Sequence, residues 1–141
     1  MHRSARLAAS LIVALVAWGC EDNPTAPSQP AQIAGTWTGT AESSNNGARA
    51  IQITLTQSGD SVTGTWTAGD WQGAVTATTD ADSVSGTITI QIPTLLGTCT
   101  ETSPFSGAAS TESNAMNWML VGFNGDCANP PTDARFVIQR R

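Results

Sequence analysis

The sequence predicts an all-β protein, an eight-stranded antiparallel up-and-down barrel, with a β-sandwich as the second architecture. Three observations predict it. From Ile33 onward apolar and polar residues alternate with period two. Ile51, Ile53 and Leu55 share one face against Gln52, Thr54 and Thr56, and Val84, Gly86, Ile88, Ile90 and Ile92 oppose Ser83, Ser85, Thr87, Thr89 and Gln91. Such alternation belongs to antiparallel sheet with one buried face. Turn-forming residues cut the run at short intervals, as at Asn45-Asn46-Gly47, Ser58-Gly59-Asp60, Ala68-Gly69-Asp70 and Asp80-Ala81-Asp82. The segment Asp60–Thr67 (DSVTGTWT) also recurs as Asp82–Thr89 (DSVSGTIT), and Ile33–Thr38 (IAGTWT) matches the core of both. Alternate strands of a meander run the same way, so the echo sets Gly35, Gly64 and Gly86 in one inward layer and Trp37, Trp66 and Ile88 in the next.

The elements follow in order. His2, Arg3 and Arg6 make a polar, positive start, and Leu7–Ala17 is an eleven-residue apolar run, too short to span a bilayer and suited to an export signal over residues 1–19. The run ends in Ala17-Trp18-Gly19-Cys20, which resembles the lipobox of bacterial lipoproteins. That resemblance implies a diacylated Cys20, palmitate-type chains and a membrane anchor. Ala17-x-Gly19 also suits an ordinary signal peptidase, but three cysteines leave one over after one disulfide, and acylation of Cys20 gives the odd thiol a fate. Residues 20–32 then form the lipidated Cys and a polar, Pro-rich disordered tether, and residues 33–141 form the barrel domain.

Eight strands are expected near residues 33–42, 48–57, 61–68, 71–79, 83–92, 98–109, 115–123 and 133–140. Pro104 cannot donate to a ladder and marks the sixth strand as an edge or a bulge. The inward set runs through Trp37, Ile51, Ile53, Leu55, Val62, Trp66, Trp71, Val75, Ile88 and Ile90 to Met119, Val121, Phe136 and Ile138, relieved by Gly39, Gly73 and Ala77. Cys99 opens the sixth strand and Cys127 lies in the loop after the seventh. Antiparallel neighbours bring both to one end of the sheet, where a disulfide would close 28 residues of separation and contribute roughly 3.5 kcal/mol.

Gly35-Thr36-Trp37 at the opening of the first strand resembles the Gly-x-Trp signature of the calycins, the lipocalin and avidin group of eight-stranded barrels. The resemblance implies an Arg from the last strand packed across that Trp, and Arg140 shares parity with Phe136 and Ile138. It covers residues 33–141 by topology, without a C-terminal helix of the lipocalin type and with short loops.

Composition limits the chemistry. The formal net charge is −5, and a basic face for nucleic acid is missing. The chain has no Lys, and its single His, His2, falls in the export signal. A mature chain without His or Lys has no His-based triad, Ser–Lys dyad, Schiff base or His metal site. Asp80 with Asp82, or Asp126 with Asp133, could pair for glycosidase chemistry, but most of the aspartates fall in turns, where Asp caps its own backbone. No enzyme activity, cofactor or metal is expected.

What remains is the bore, with Trp37, Ile53, Trp66, Trp71 and Ile88 as its candidate apolar lining. The first functional expectation is a monomeric, lipid-anchored cell-envelope binding protein holding a small apolar ligand in a calycin-like barrel. The alternative is a filled barrel whose loops meet an envelope protein or inhibit a protease. A third class, ice or surface binding by the Thr-x-Thr arrays, wants a flat ladder that a closed barrel does not offer.

Overall fold

The computed structural model describes residues 29–110 and 114–141. The expected signal segment, Cys20 and the tether up to residue 28 lie outside the described residues. Among the described residues there is no helix. Nine strands follow one another: β1 (Gly35–Ser43), β2 (Gly47–Ser58), β3 (Ser61–Ala68), β4 (Trp71–Asp80), β5 (Ser83–Thr94), β6 (Gly97–Ser110), β7 (Ala115–Leu120), β8 (Asn124–Gly125) and β9 (Arg135–Arg140).

All pairings are antiparallel. Each strand from β1 to β6 pairs with the next, β7 pairs with β9, and β9 returns to β1 with Trp37 opposite Arg140 and Glu42 opposite Arg135. The ring of eight is therefore closed, with no open seam. The two-residue β8 is an addition, laid against β6 at Glu101 and Thr102. The eight ring strands stand where the alternation places them. β8 has too few residues to show a period.

The barrel closes tightly because glycines let neighbouring strands approach. A Cβ on Gly64 would press on the Thr54 carbonyl and lie 2.8 Å from Leu55 Cδ2. A Cβ on Gly86 would press on the Thr76 carbonyl and lie 2.5 Å from Ala77 Cα. The two glycines hold equivalent places in the DSVTGTWT and DSVSGTIT echo, opposite Leu55 and Ala77. Their absent side chains make the coiling of a small barrel possible.

Two expectations are corrected. Pro104 does not mark β6 as an edge, since β6 lies between β5 and β7. On one side Pro104 faces Thr87. On the other, the partner of β6 changes from β7, which ends opposite Phe105, to β8 at Thr102. The proline falls in the gap between these two partners, and its carbonyl accepts the Val121 N–H at 2.8 Å.

The parity of β7 is the reverse of that expected. Met119 and Val121 point outward, 57% and 60% exposed, while Met116, Trp118 and Leu120 are buried. Met119-Leu120-Val121 is apolar throughout and carries no period of its own. Asn117 decides the matter, because an amide on the inner face would be buried without a partner.

The core is packed with aromatic rings. Phe105 and Trp118 stack at 4.5 Å between centroids, and Phe136 lies 5.9 Å from Trp66 and 6.4 Å from Trp118. Trp37, Ile53 and Ile88 are at most 1% exposed. The bore is thus filled by side chains, one of the two states open to eight-stranded barrels.

Candidate functional site: the two poles of the barrel

Strand directions give the barrel two unlike ends. β1, β3, β5 and β7 run from the first pole to the second, and β2, β4, β6 and β9 run back. The turns at residues 59–60 and 81–82, the start of β1 and the end of β9 therefore lie at the first pole. The turns at 44–46, 69–70 and 95–96 and the long loop 121–134 lie at the second.

The first pole is sealed by the segment before β1. The Gln57 amide works as a clasp on passing backbone: its Oε1 accepts the Ile33 N–H at 2.8 Å and its Nε2 donates to the Ala31 carbonyl at 2.9 Å. Ala31 N–H also donates to the Ala81 carbonyl at 2.8 Å. Ala31 and Ile33 are buried under the ring. The last residues of the segment expected to be tether are thus held against the barrel.

Trp37 and Arg140 complete the seal. The Trp37 indole donates to the Ile33 carbonyl at 2.9 Å. The Arg140 guanidinium carbon stands 4.9 Å from the Trp37 ring centroid, and Arg140 Nη2 donates to the Gln32 carbonyl at 2.6 Å. The pairing of β1 with β9 sets these two residues directly opposite each other.

The second pole carries a shallow apolar cup. Trp66, Trp71, Ile90, Leu120, Phe136 and Ala68 contribute to its wall, and Glu42, Ser43, Asn46 and Arg49 to its rim. Its cavity volume is about 20 Å³, room for roughly one water. The larger hollows, of about 410 Å³ each, are open grooves on the outer wall beside Gly73 and Gly39. Trp66 closes its side of the cup with a hydrogen bond. The β4–β5 ladder skips Gly73 and Ala74, and the Trp66 indole takes the Thr89 carbonyl there at 3.0 Å. At the rim Arg49 lies over Trp71, 4.2 Å from the ring centroid, with Asp70 3.3 Å from its Nη1.

Of the five candidate lining residues, only Trp66 and Trp71 reach the cup. Trp37 belongs to the first pole, and Ile53 and Ile88 lie in the packed core between. The reading of the sequence missed Arg49, Leu120 and the rim residues of the β1–β2 turn. Arg49 shares parity with Ile51 and Ile53, which is the signal that could have brought it in.

The expected disulfide forms, linking Cys99 to Cys127 with a Cα–Cα distance of 5.1 Å. It fixes the loop 121–134 to the β5–β6 hairpin just below its tip. Around it, Thr100 N–H donates to Asp126 Oδ1 at 2.6 Å, and the buried Glu101 accepts the Cys127 N–H at 2.8 Å. Asp126 and the two sulfurs lie together, but sulfurs bonded to each other are not thiolate ligands.

Compared with family models, with curated proteins and with solved structures, the chain matches none.

Proposed function

We propose that the protein is a lipid-anchored cell-envelope interaction protein, a filled calycin-like barrel that acts through its surface and its second pole. The observation that carries this reading is the bore. Its aromatic rings are packed against one another, and the cup at the second pole has room for roughly a single water. A core of this kind stiffens a display scaffold and leaves the loops to meet a partner, an envelope protein or a protease.

Calycin kinship is part of the proposal. It rests on Gly35-x-Trp37, on Arg140 over Trp37 and on the closed eight-stranded ring. Export and acylation of Cys20 rest on the sequence of residues 1–20 and on cysteine parity, to which the Cys99–Cys127 bond adds. An anchor there would keep the barrel at a membrane surface.

A second reading, a small apolar ligand held by the barrel, is favoured by the apolar wall of the cup, where Trp66 and Trp71 stand near Ile90 and Phe136. Native mass spectrometry of the protein released from envelopes, paired with chemical crosslinking before release, tests the two readings. A ligand-free mass with a reproducible protein crosslink at the second pole is expected. A stoichiometric apolar ligand with no crosslink would move the function to the second reading.

A further inference from the structure

The β5–β6 hairpin ends in Leu95 and Leu96, which are 104% and 100% exposed, the two most exposed large apolar side chains among the described residues. From the geometry of this tip we infer that it inserts into a zwitterionic lipid bilayer.

Three features distinguish the tip from an ordinary turn. Its backbone is largely provided for without water. Thr94 faces Gly97 across the ladder, the Thr94 hydroxyl donates to the Gly97 carbonyl at 2.9 Å, and Leu96 N–H donates to Thr94 Oγ1 at 3.3 Å. Unpaired backbone groups are the main cost of placing a loop in lipid, and here the turn satisfies much of that need itself. The ten residues from Gln91 to Thr100 carry no charge. Thr94, Thr98 and Gln91 suit the headgroup level, with the leucines beyond it. The tip is also braced, because Cys99 is bonded to Cys127 directly below it and Asp126 holds the Thr100 N–H. A braced loop loses little freedom on insertion.

Area decides against a protein partner. Two leucines on a narrow ribbon fall well short of the roughly 800 Å² a side that a stable protein interface buries, whereas a bilayer demands no matching shape. Charge decides the lipid class. Arg and Lys are absent from the tip, and the carboxylates beside the disulfide below it, Glu101 and Asp126, offer nothing to anionic headgroups. The inference does not rest on an anchor at Cys20. Were one present, the ten residues before Ala31 extend to about 35 Å and would let the barrel lie along the same surface.

Hydrogen exchange of the full chain, with and without phosphatidylcholine vesicles, reads the tip independently of any other membrane contact. Amides of residues 94–98 are expected to slow on addition of vesicles, with no further slowing when anionic lipid is mixed in. The pair Leu95→Asp and Leu96→Asp, fully exposed and harmless to the core, should abolish the slowing and weaken tip partitioning on the order of 100-fold or more. Unchanged exchange at the tip overturns the inference. So does slowing that depends on protein concentration without vesicles, which would assign the tip to a second copy of the chain.

Discussion

Arg140 spans the closing seam of the barrel, stacked on Trp37 while it donates to the Gln32 carbonyl, so one side chain ties the last strand, the first strand and the segment that seals the pole. Removing it in Arg140→Ala should cost about 1–2 kcal/mol from the lost cation–π contact and hydrogen bond. Thermal unfolding followed by circular dichroism should show a midpoint lower by roughly 4–10 °C. Arg140→Lys should fall between, since Lys keeps the charge without the planar fork. An unchanged midpoint in the alanine variant would refute the role.

Two tryptophans of like burial should respond differently to phenylalanine. Trp37 donates its indole N–H to Ile33, whereas the Trp118 indole N–H has no partner among the described residues. Trp37→Phe leaves the Ile33 carbonyl buried and unpaired, a penalty of about 1–3 kcal/mol on top of the lost ring volume. Trp118→Phe removes an N–H that satisfies nothing, so its cost should be lower by roughly 1 kcal/mol. Urea titration of both variants measures the difference, and equal costs would show that the hydrogen bond at the first pole contributes little.

The Cys99–Cys127 bond joins residues 28 apart in the sequence. Replacing both by serine should lower stability by about 3.5 kcal/mol in the loop-entropy account. Amide exchange should quicken mainly in loop 121–134 and near the tip of the β5–β6 hairpin, while β1 to β4 keep their relative protection. Uniform quickening across the barrel would mean that the bond acts on the whole fold rather than on that corner.

Gly64→Ala should be among the most damaging single methyl additions, at about 2–3 kcal/mol, because the new Cβ meets Thr54 and Leu55 backbone that cannot move alone. Gly59→Ala meets nothing within 4 Å and carries only the strain of its positive φ, 63°. That strain is worth about 1–2 kcal/mol. Denaturant midpoints should rank the two in that order.

Asp70→Asn should change stability by less than about 0.5 kcal/mol, because the Arg49–Asp70 pair is 3.3 Å apart and its carboxylate side is open to solvent. A larger loss in a chemical denaturation series would indicate that Asp70 holds Arg49 over Trp71.

Most of the barrel was legible in the sequence because its strands carry one polar and one apolar face. The Ile51–Ile53–Leu55 and Val84–Ile88–Ile90 patterns fix register as well as position, since a slip by one residue would bury threonines. The reading failed where that contrast fades. Met119-Leu120-Val121 offers no polar mark, and the inward face of β7 had to be set by Asn117 upstream. The buried Glu101 and Ser103 were missed for the opposite reason, since each looks outward by type. Their partners, the Cys127 N–H and the Gly122 carbonyl, come from a distant loop that no local pattern announces. The cup was half legible. Trp66 and Trp71 stood out as large apolar residues, whereas Arg49, of the same parity as Ile51 and Ile53, looks outward by type and is turned onto Trp71 by the neighbouring strands.

The start of β1 and the end of β9 lie side by side, where Arg141 N–H meets the Thr36 carbonyl and β9 runs antiparallel to β1. Drawn apart by those ends, the seam would unzip one rung at a time and yield at low force. Drawn instead between the segment before β1 and the Leu95–Leu96 tip, the same molecule would be loaded along its staves. Many rungs would then share the strain, and resistance to the pull would be far greater.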